Sequence, residues 1–308
     1  MKAVRVLRYG PPSVIEIDDV PRPSAGRGQL LVRVDAAGVG NWDALFREGT
    51  SRLEPLPIIL GSDISGTVEA VGPEVSGFKP GDEVYGSTNP QFSGGQAEYA
   101  VPLAGMMAPK PKALNFVEAA SVPVVAVTAW QMLFEYAAAV AGQTVLIHGA
   151  AGSVGAYAVQ LARQAGLHIV ATAGARDLDY VRGLGAETVF DYRKERFEEL
   201  VSGVDVVLDT IGGATQEKSL RVLKPGGILV SIVSTVPEAA QKQHDVRAAF
   251  FYAEVTTARL KKISVLIDDG KLSTDVGTVL PLDEARTAHE MLAGAPHKRG
   301  KIVLTVST

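Results

Sequence analysis

The sequence predicts an α/β protein that joins a doubly wound parallel sheet to a second, β-rich domain built as a partly open barrel. Two observations predict the sheet. From Thr144 onward apolar strands alternate with helical segments, and those strands are apolar on both faces. A third observation predicts the barrel, because residues 1 to about 115 contain many short strand-like runs separated by glycine–proline turns. A length of 308 residues accommodates two such domains.

The barrel strands lie in the first part of the chain. Residues 29–35, 65–71 and 98–101 alternate apolar and polar side chains or are rich in β-branched ones. A helix is expected to begin near residue 116, with either Asn115 or Ser121 as its cap.

The parallel sheet occupies the middle of the chain. Its predicted strands are residues 144–148, 168–172, 188–190, 204–209 and 227–233. The helices between them begin near Ser153, Asp177, Glu195 and Thr215. Two further helices, 254–270 and 283–293, precede a last strand at 300–306 that we expect to return to the first domain. The predicted domains are therefore residues 1–117 with 280–308, and residues 118–279.

Composition excludes several classes of function. A net charge of −4 gives no basic face for nucleic acid, and the basic run 297–301 is interpreted as a solvated turn. The sequence has no cysteine, which excludes disulfides, thiolate zinc sites and a cysteine nucleophile. The N-terminus lacks the apolar core of a signal peptide, and the apolar stretch 119–133 is too short and interrupted to span a membrane. We expect a cytoplasmic protein.

A glycine-rich turn between a strand and a helix is the most specific single motif. In it Gly149 suits the tight turn, Gly152 lets a pyrophosphate approach the backbone, and Gly155 lets the helix pack close to the strand. The start of the following helix, residues 154–164, offers free N–H groups and the positive end of a dipole to phosphates. The motif therefore predicts dinucleotide binding, and His148 just before it is interpreted as a core or turn residue.

The end of the next strand indicates which dinucleotide. NAD enzymes place an Asp or Glu there to bind the ribose 2′-hydroxyl. Here the strand ends in small residues, Ala173 and Gly174, and Arg176 offers a guanidinium to a 2′-phosphate. The sequence therefore predicts NADPH.

Motifs spread over nearly the whole chain resemble one family. They are residues 1–4, 60–72, 81–86, 94–99, the glycine turn, 183–192, 209–213, 223–227 and 299–304. Through them the chain resembles the zinc-independent medium-chain dehydrogenases/reductases of the quinone oxidoreductase group, which includes zeta-crystallin. The resemblance implies a Rossmann domain, a GroES-like barrel domain, and a homodimer or homotetramer joined along the edge of the dinucleotide-binding sheet.

The positions of the zinc ligands indicate the reaction. Zinc-dependent members of this superfamily use a Cys and a Gly-His-Glu segment, where this chain reads Val-Gly-Asn-Trp-Asp (39–43) and Gly-Ser-Asp (61–63). Reduction of a simple ketone builds charge on one oxygen and needs a Lewis acid or a proton donor. A quinone or enone spreads that charge over its own conjugated system. We therefore expect metal-free hydride transfer to such an acceptor.

The predicted site residues fall into two sets. The expected cofactor contacts are Thr128, Gly149, Ala150, Ala151, Gly152, Ser153, Val154, Gly155, Ala173, Gly174, Arg176, Tyr192, Asp209, Ile211, Ile232, Val233 and Lys301. The candidates for positioning the acceptor are Asn41, Trp42, Asp43 and Phe92, and no metal ligand or certain catalytic residue is assigned.

Several of these interpretations have alternatives. Trp42 either stacks on a flat substrate or packs in the core, and the loop 87–94 is either a lid or a simple surface loop. Arg47 is a further candidate contact for a phosphate or the acceptor. Relatives often carry Asn where this chain has Gly40 and Tyr where it has Leu45, so Asn41 is a candidate replacement for the Asn.

Three functions remain open on the sequence. The first is an NADPH-dependent quinone or enone reductase acting on a small molecule. The second is a 2-enoyl thioester reductase, which uses the same hydride geometry. The third is a non-catalytic, crystallin-like NADPH-binding protein.

Overall fold

The computed structural model describes residues 1–50 and 55–306, which fold into two compact units. The first unit is Met1–Val127 with Glu254–Thr308, and the second is Thr128–Ala253. The first is rich in antiparallel strands, and the second contains a parallel sheet flanked by helices. The predicted fold class is confirmed.

Sixteen strands occur in the described residues: β1 (Lys2–Val6), β2 (Ile15–Asp19), β3 (Leu30–Val39), β4 (Ile58–Ile59), β5 (Asp63–Val71), β6 (Glu83–Ser87), β7 (Tyr99–Ala100), β8 (Met107–Pro109), β9 (Thr144–Ile147), β10 (His168–Ala173), β11 (Thr188–Asp191), β12 (Val204–Asp209), β13 (Leu223–Ser231), β14 (Arg247–Phe250), β15 (Val276–Pro281) and β16 (Lys301–Thr305). The same residues form ten α-helices: α1 (Asn41–Glu48), α2 (Phe116–Ala120), α3 (Pro123–Trp130), α4 (Ser153–Gln164), α5 (Leu178–Leu184), α6 (Phe197–Leu200), α7 (Gly213–Ser219), α8 (Glu238–His244), α9 (Thr257–Asp268) and α10 (Ala285–Leu292).

Two sheets make up the first unit. The larger has the order β15-β16-β3-β5-β6-β8, with β7 also paired to β3, and the smaller has the order β2-β1-β4. All their pairings are antiparallel except that between β15 and β16. Their inward side chains form one aliphatic core that includes Val32, Ile64 and Leu304. Asn115 caps α2, since its side chain accepts from the Glu118 N–H at 2.9 Å while the Glu118 carboxylate accepts from the Asn115 N–H.

Residues 254–279 lie in the first unit, whereas the predicted boundary places them with the parallel sheet. Contacts of β6 and α9 attach these residues to the first unit. The buried Tyr85 hydroxyl on β6 donates to the carbonyl of Leu260 at 2.8 Å, and α9 buries Leu260, Ile263 and Ile267. The other boundary also differs, since the first unit extends to Val127 rather than to residue 117.

The second unit is built on a six-stranded parallel sheet with the order β11-β10-β9-β12-β13-β14. This is the doubly wound order in which the winding direction reverses between the first strand, β9, and the fourth, β12. Ligands bind such sheets in the crevice at the carboxyl ends of the strands beside that reversal. The glycine turn, residues 148–152, directly follows β9.

The five predicted strands of this sheet coincide with β9 to β13, and β12 has the predicted bounds. The sixth strand, β14, was not predicted, because its sequence, Arg-Ala-Ala-Phe, is short and has no β-branched residue. None of the described helices has both the length and the apolar character needed to cross a bilayer.

Candidate functional site

The glycine turn of the second unit has the geometry of a phosphate-binding loop. Gly149 adopts φ +64°, and a Cβ on it would lie 2.4 Å from the Thr210 hydroxyl. A Cβ on Gly155 would lie 2.2 Å from the Gly149 carbonyl oxygen, so only glycine lets α4 pack this closely. Gly152 is different, because it is exposed and a Cβ there would meet only the Gly149 oxygen, at 3.2 Å. The turn therefore presents open backbone at Gly152, next to the start of α4.

The first turn of α4 supplies donors at this position. The helix begins at Ser153 after an N-cap, Gly152, which makes no side-chain capping bond. The first N–H groups of a helix have no partner within the helix, and the helix dipole places partial positive charge there. These groups can bind an anionic group such as a pyrophosphate.

His148 supports the turn from inside the unit. Its Nε2 lies 2.9 Å from the Ser219 hydroxyl, which itself donates to the Thr215 carbonyl, and its Nδ1 lies 3.0 Å from the Thr172 hydroxyl. Nε2 therefore carries the proton and Nδ1 accepts. Burial lowers the pKa of His148 to about 4, so the ring is neutral at pH 7. The interpretation of His148 as a core residue is confirmed.

Asp209, at the end of β12, is bonded entirely within the protein. One carboxylate oxygen accepts from the N–H groups of Ile211 and Gly212, and the other from Gln216 and Ser231, all at 2.8–3.0 Å. With both oxygens engaged, Asp209 holds the turn after β12 instead of offering a free acceptor to a ligand. Ile211, on that turn, is 53% exposed.

Other predicted cofactor residues lie near the same ends of strands. Val233 is exposed just after β13, and its N–H donates to the Ser231 hydroxyl at 3.1 Å. Ile232 is half-buried. Thr128 is buried near the end of α3, at 4% exposure.

A basic rim lies where β10 and β11 end. Tyr192 follows β11, donates its N–H to the Ala173 carbonyl at 3.2 Å, and is 56% exposed. The Arg193 guanidinium carbon lies 5.2 Å from the centre of the Tyr192 ring. Arg176 is exposed in the turn after β10, and Lys194 is exposed after β11. Within the described ranges these three cations make no ion pair with a carboxylate.

Sequence reasoning missed Arg193 and Lys194. The signal that could have found them is the parallel pairing of Ala173 with Asp191, which brings the two strand ends together. The first acidic residue after β10, Asp177, is the N-cap residue of α5.

Asp43, at the start of α1, is the centre of a second cluster, in the first unit. Its carboxylate is fully buried and accepts from the N–H groups of Gly40 at 2.8 Å and Gly61 at 3.2 Å. The Gln96 amide lies 3.5 Å away. Burial raises the pKa of Asp43 to about 7, against the opposing effect of these donors. The carboxylate of Asp43, a predicted acceptor-positioning residue, is thus engaged by backbone N–H groups.

Lys301 is buried beside this cluster. It is 4% exposed, and its Nζ lies 3.3 Å from a carboxylate oxygen of Asp63. The other oxygen of Asp63 accepts from the Val124 N–H at 3.0 Å. Burial raises the pKa of Asp63, while the neighbouring ammonium opposes that rise. The ammonium of Lys301, a predicted cofactor contact, is thus directed to Asp63 in the first unit.

Arg47, a candidate contact for a phosphate or the acceptor, makes its contacts within the first unit. Its guanidinium is buried on α1, where it donates to the Gly10 carbonyl at 3.0 Å and to Nδ1 of His289 at 2.9 Å, and pairs with Glu48. Burial, and then the charge of Arg47, lower the pKa of His289 to about 3. The group ties α1 to α10.

Trp42 lies over Gly40 at the start of α1. Its indole N–H donates to the Ser62 hydroxyl at 3.1 Å, and Nζ of Lys301 lies 4.3 Å from the ring centre. A Cβ on Gly40 would lie 2.4–2.5 Å from three indole carbons, so the ring occupies the space of a side chain at that position. Asn41, the next residue, is exposed. Leu45 is also exposed, at 48%.

The loop that carries Phe92 is braced by its own side chains. The Thr88 hydroxyl and the Asn89 amide both donate to the Ser93 carbonyl, at 2.7 and 2.9 Å, and the Asn89 oxygen accepts from the Gln91 N–H. The Phe92 ring lies 6.3 Å from the Trp42 ring at an interplanar angle of 45°. These bonds favour a fixed loop over a lid.

The segments that the resemblance matches to the zinc ligands hold neither cysteine nor histidine. They read Val-Gly-Asn-Trp-Asp (39–43) and Gly-Ser-Asp (61–63), and the sequence has no cysteine. Across residues 1–50 and 55–306 there is no group of three or more His, Cys, Asp or Glu side chains able to hold a metal ion.

Comparisons with known proteins cover nearly the whole chain. Residues 26–112 match the family model described as alcohol dehydrogenase GroES-like domain, and residues 184–304 match the one described as zinc-binding dehydrogenase. The chain is 32% identical to the quinone oxidoreductase of Sus scrofa, over 99% of this chain and 97% of that protein.

Two solved structures are also similar. The quinone oxidoreductase of Coxiella burnetii has a TM-score of 0.93 at 33% identity, covering 100% of this chain and 99% of that one. A mycobacterial protein in complex with NADPH has a TM-score of 0.90 at 29% identity, covering 99% of this chain and 100% of that one.

Proposed function

The chain belongs to the medium-chain dehydrogenase/reductase family, in its quinone oxidoreductase group, and from that membership we propose that it reduces a quinone or a related conjugated enone with NADPH and without a metal ion. The coarser activity, that of an NAD(P)-dependent oxidoreductase, follows from the family itself. The finer points, which are the preference for NADPH, the conjugated acceptor and the independence from zinc, rest on the residues of the two units.

The basic rim carries the preference for NADPH. Arg176, Arg193 and Lys194 are exposed and have no carboxylate partner among the described residues, and they follow neighbouring parallel strands. Such cations can bind a ribose 2′-phosphate, and a guanidinium does so with two parallel hydrogen bonds. When bound, the cofactor supplies the hydride. The open backbone at Gly152 and the first N–H groups of α4 would hold the pyrophosphate.

The residues at the zinc-ligand positions support a conjugated acceptor. Residues 39–43 and 61–63 offer no thiolate or imidazole, so these segments supply no zinc ligands to polarise a simple carbonyl. A quinone or enone delocalises the charge it receives, and the protein then needs mainly to position it and exclude water. Simple secondary alcohols should not be turned over.

Charge reversal at Arg176 tests the cofactor preference. Loss of a charge-assisted hydrogen bond costs about 1.5–3 kcal/mol, so Arg176→Asp should weaken NADPH binding by roughly 10- to 100-fold. NADH has no 2′-phosphate, so its dissociation constant should change by less than about threefold. Calorimetric titration with both nucleotides measures the two constants.

The matched control for this test is Arg221→Asp, an equal charge change at an exposed arginine of the same unit. It should leave both constants near the wild-type values. An equal loss for NADPH and NADH in Arg176→Asp would refute the role of Arg176. Failure of the wild type to oxidise NADPH with any quinone or enone would refute the proposed activity.

We also propose a homodimer or homotetramer joined through β14. This strand is one of the two edges of the parallel sheet, so its outer N–H and C=O groups can pair with those of a second copy. Tyr252, just beyond it, is 77% exposed. Light scattering during size exclusion would give the mass, and a monomer at micromolar concentration would contradict the proposal.

A further inference from the structure

We infer that Trp42, together with Phe92, determines acceptor specificity and selects acceptors with fused flat rings, of the naphthoquinone class, over open-chain enones. This inference rests on the proposed function and adds the substrate class. It concerns only side chains of the first unit, and it assigns Trp42 a positioning role, since hydride transfer itself needs no proton from the indole.

Three contacts fix the Trp42 ring. The Ser62 hydroxyl accepts its N–H, the Lys301 ammonium lies 4.3 Å from the ring centre, and the backbone of Gly40 lies directly against the ring. Because Lys301 is paired with Asp63, this ammonium brings little net charge and acts chiefly to hold the ring. A ring held on several sides loses little conformational freedom when a ligand stacks on it.

Phe92 is placed beside Trp42 at a conformational cost. Its φ is +57°, in the left-handed region that bulky residues rarely adopt. The bonds of Thr88 and Asn89 to the Ser93 carbonyl hold this conformation. Strained residues held by their surroundings are concentrated at ligand-binding and catalytic sites, which makes Phe92 a candidate for a binding role.

The two rings together suit a large flat ligand. They are inclined at 45° with centres 6.3 Å apart, so they do not cover each other face to face. Trp42 and Phe92 are each half-buried as residues, so neither is fully enclosed by the first unit. Stacking on aromatic side chains grows with the area of overlap, so a fused two-ring acceptor gains more from this pair than an open-chain enone does. The Trp42–Phe92 pair therefore favours fused-ring acceptors over open-chain enones.

Steady-state kinetics with NADPH provide the test, with 1,4-naphthoquinone and but-3-en-2-one as acceptors. Trp42→Ala should lower kcat/KM for naphthoquinone by about tenfold or more, mainly through KM, and change that for butenone by less than about threefold. Trp42→Phe should recover part of the naphthoquinone activity. Trp130→Phe, which changes the other tryptophan, should leave the ratio of the two acceptors unchanged. The protein has no thiol for quinones to alkylate, so the assay is free of that side reaction.

Binding without turnover gives a second readout. With Trp130 replaced by Phe, Trp42 is the single tryptophan, and oxidised naphthoquinone should quench its fluorescence saturably. With Trp42 replaced instead, the remaining Trp130 should show no saturable quenching.

The outcomes separate the two proposals. An equal loss for both acceptors in Trp42→Ala, with NADPH affinity retained, would show that Trp42 is only structural and would overturn the inference. An unchanged acceptor ratio would overturn it as well. A wild type that reduces neither acceptor would refute the proposed function itself.

Discussion

Stability of the second unit should fall as the pH is lowered, because its core contains a neutral histidine. His148 has its pKa lowered from 6.5 to about 4 by burial. When the unit unfolds, the imidazole returns to water and binds a proton at any pH below about 6.5. The unfolded state therefore binds more protons than the folded state between pH 6.5 and 4. Stability is full above that window and is lost as the pH falls through it.

The size of this loss follows from the two pKa values. One pKa unit corresponds to about 1.4 kcal/mol, so the difference between 6.5 and about 4 amounts to roughly 3 kcal/mol once the pH reaches 4. Between pH 7 and pH 5 the same linkage gives about 2 kcal/mol. A shift of that size is large beside the marginal stability of a domain.

The assay needs a reporter in the second unit. In a Trp42→Phe background the remaining tryptophan, Trp130, packs on Phe134 with ring centres 4.6 Å apart, and both belong to that unit. Urea unfolding followed through Trp130 at pH 7 and pH 5 gives the free energy of unfolding at each pH. His148→Leu should lower it at pH 7 by about 1–2 kcal/mol through the lost hydrogen bonds, and should remove about 2 kcal/mol of its pH dependence.

Ser219→Ala is the matched control for this experiment. It removes one hydrogen bond to His148 but keeps the imidazole, so it should lower stability at both pH values and leave the pH dependence in place. Parallel pH profiles for the wild type and His148→Leu would refute the reasoning, because they would mean that His148 is not held neutral.

Two further substitutions, one in each unit, test how the interior is packed. A Cβ at position 155 would lie 2.2 Å from the Gly149 oxygen, so Gly155→Val should push α4 away from Gly149. It should abolish measurable NADPH binding in calorimetry and lower the free energy of unfolding by about 1–3 kcal/mol. Gly183→Ala, in open space on α5, should instead stabilise by about 0.5–1 kcal/mol, and equal effects of the two would contradict the packing argument. Lys301→Met should lower the free energy of unfolding by about 3–5 kcal/mol because it leaves Asp63 buried without its cation. Adding Asp63→Asn should recover most of that loss in denaturant unfolding, and no recovery would show that the charge pair is not the cause.

Local patterns were sufficient to predict most of the second unit. The strands β9 to β13 each contain a run of apolar residues. A glycine turn followed by a helix has few alternative structures, so β9, the turn and α4 could be predicted together. The edge strand β14 has only four residues without β-branching, so its structure depends on pairing with β13, which no local signal reveals.

The surroundings of charged side chains could not be predicted in the same way. Lys301 and Arg47 look like exposed cations in the sequence, yet both are buried against partners distant in the chain, Asp63 and His289. Such burial is decided by tertiary contacts and leaves no periodic pattern. Arg193 is the opposite case, because it is exposed. Its proposed role depends on the parallel pairing of β10 with β11, which brings the ends of the two strands together.

The position of the Trp42 indole against Gly40 restricts how this protein can evolve. An asparagine at position 40, which the resemblance implies for many relatives, would need the volume that the indole fills. A side chain at position 40 is therefore not accessible while Trp42 is present, so the tryptophan must first become smaller. Homologues should fall into two groups, with glycine before a large aromatic residue or with a side chain at 40 before a small one, and mutational paths between the groups should pass through an intermediate in which this space is empty.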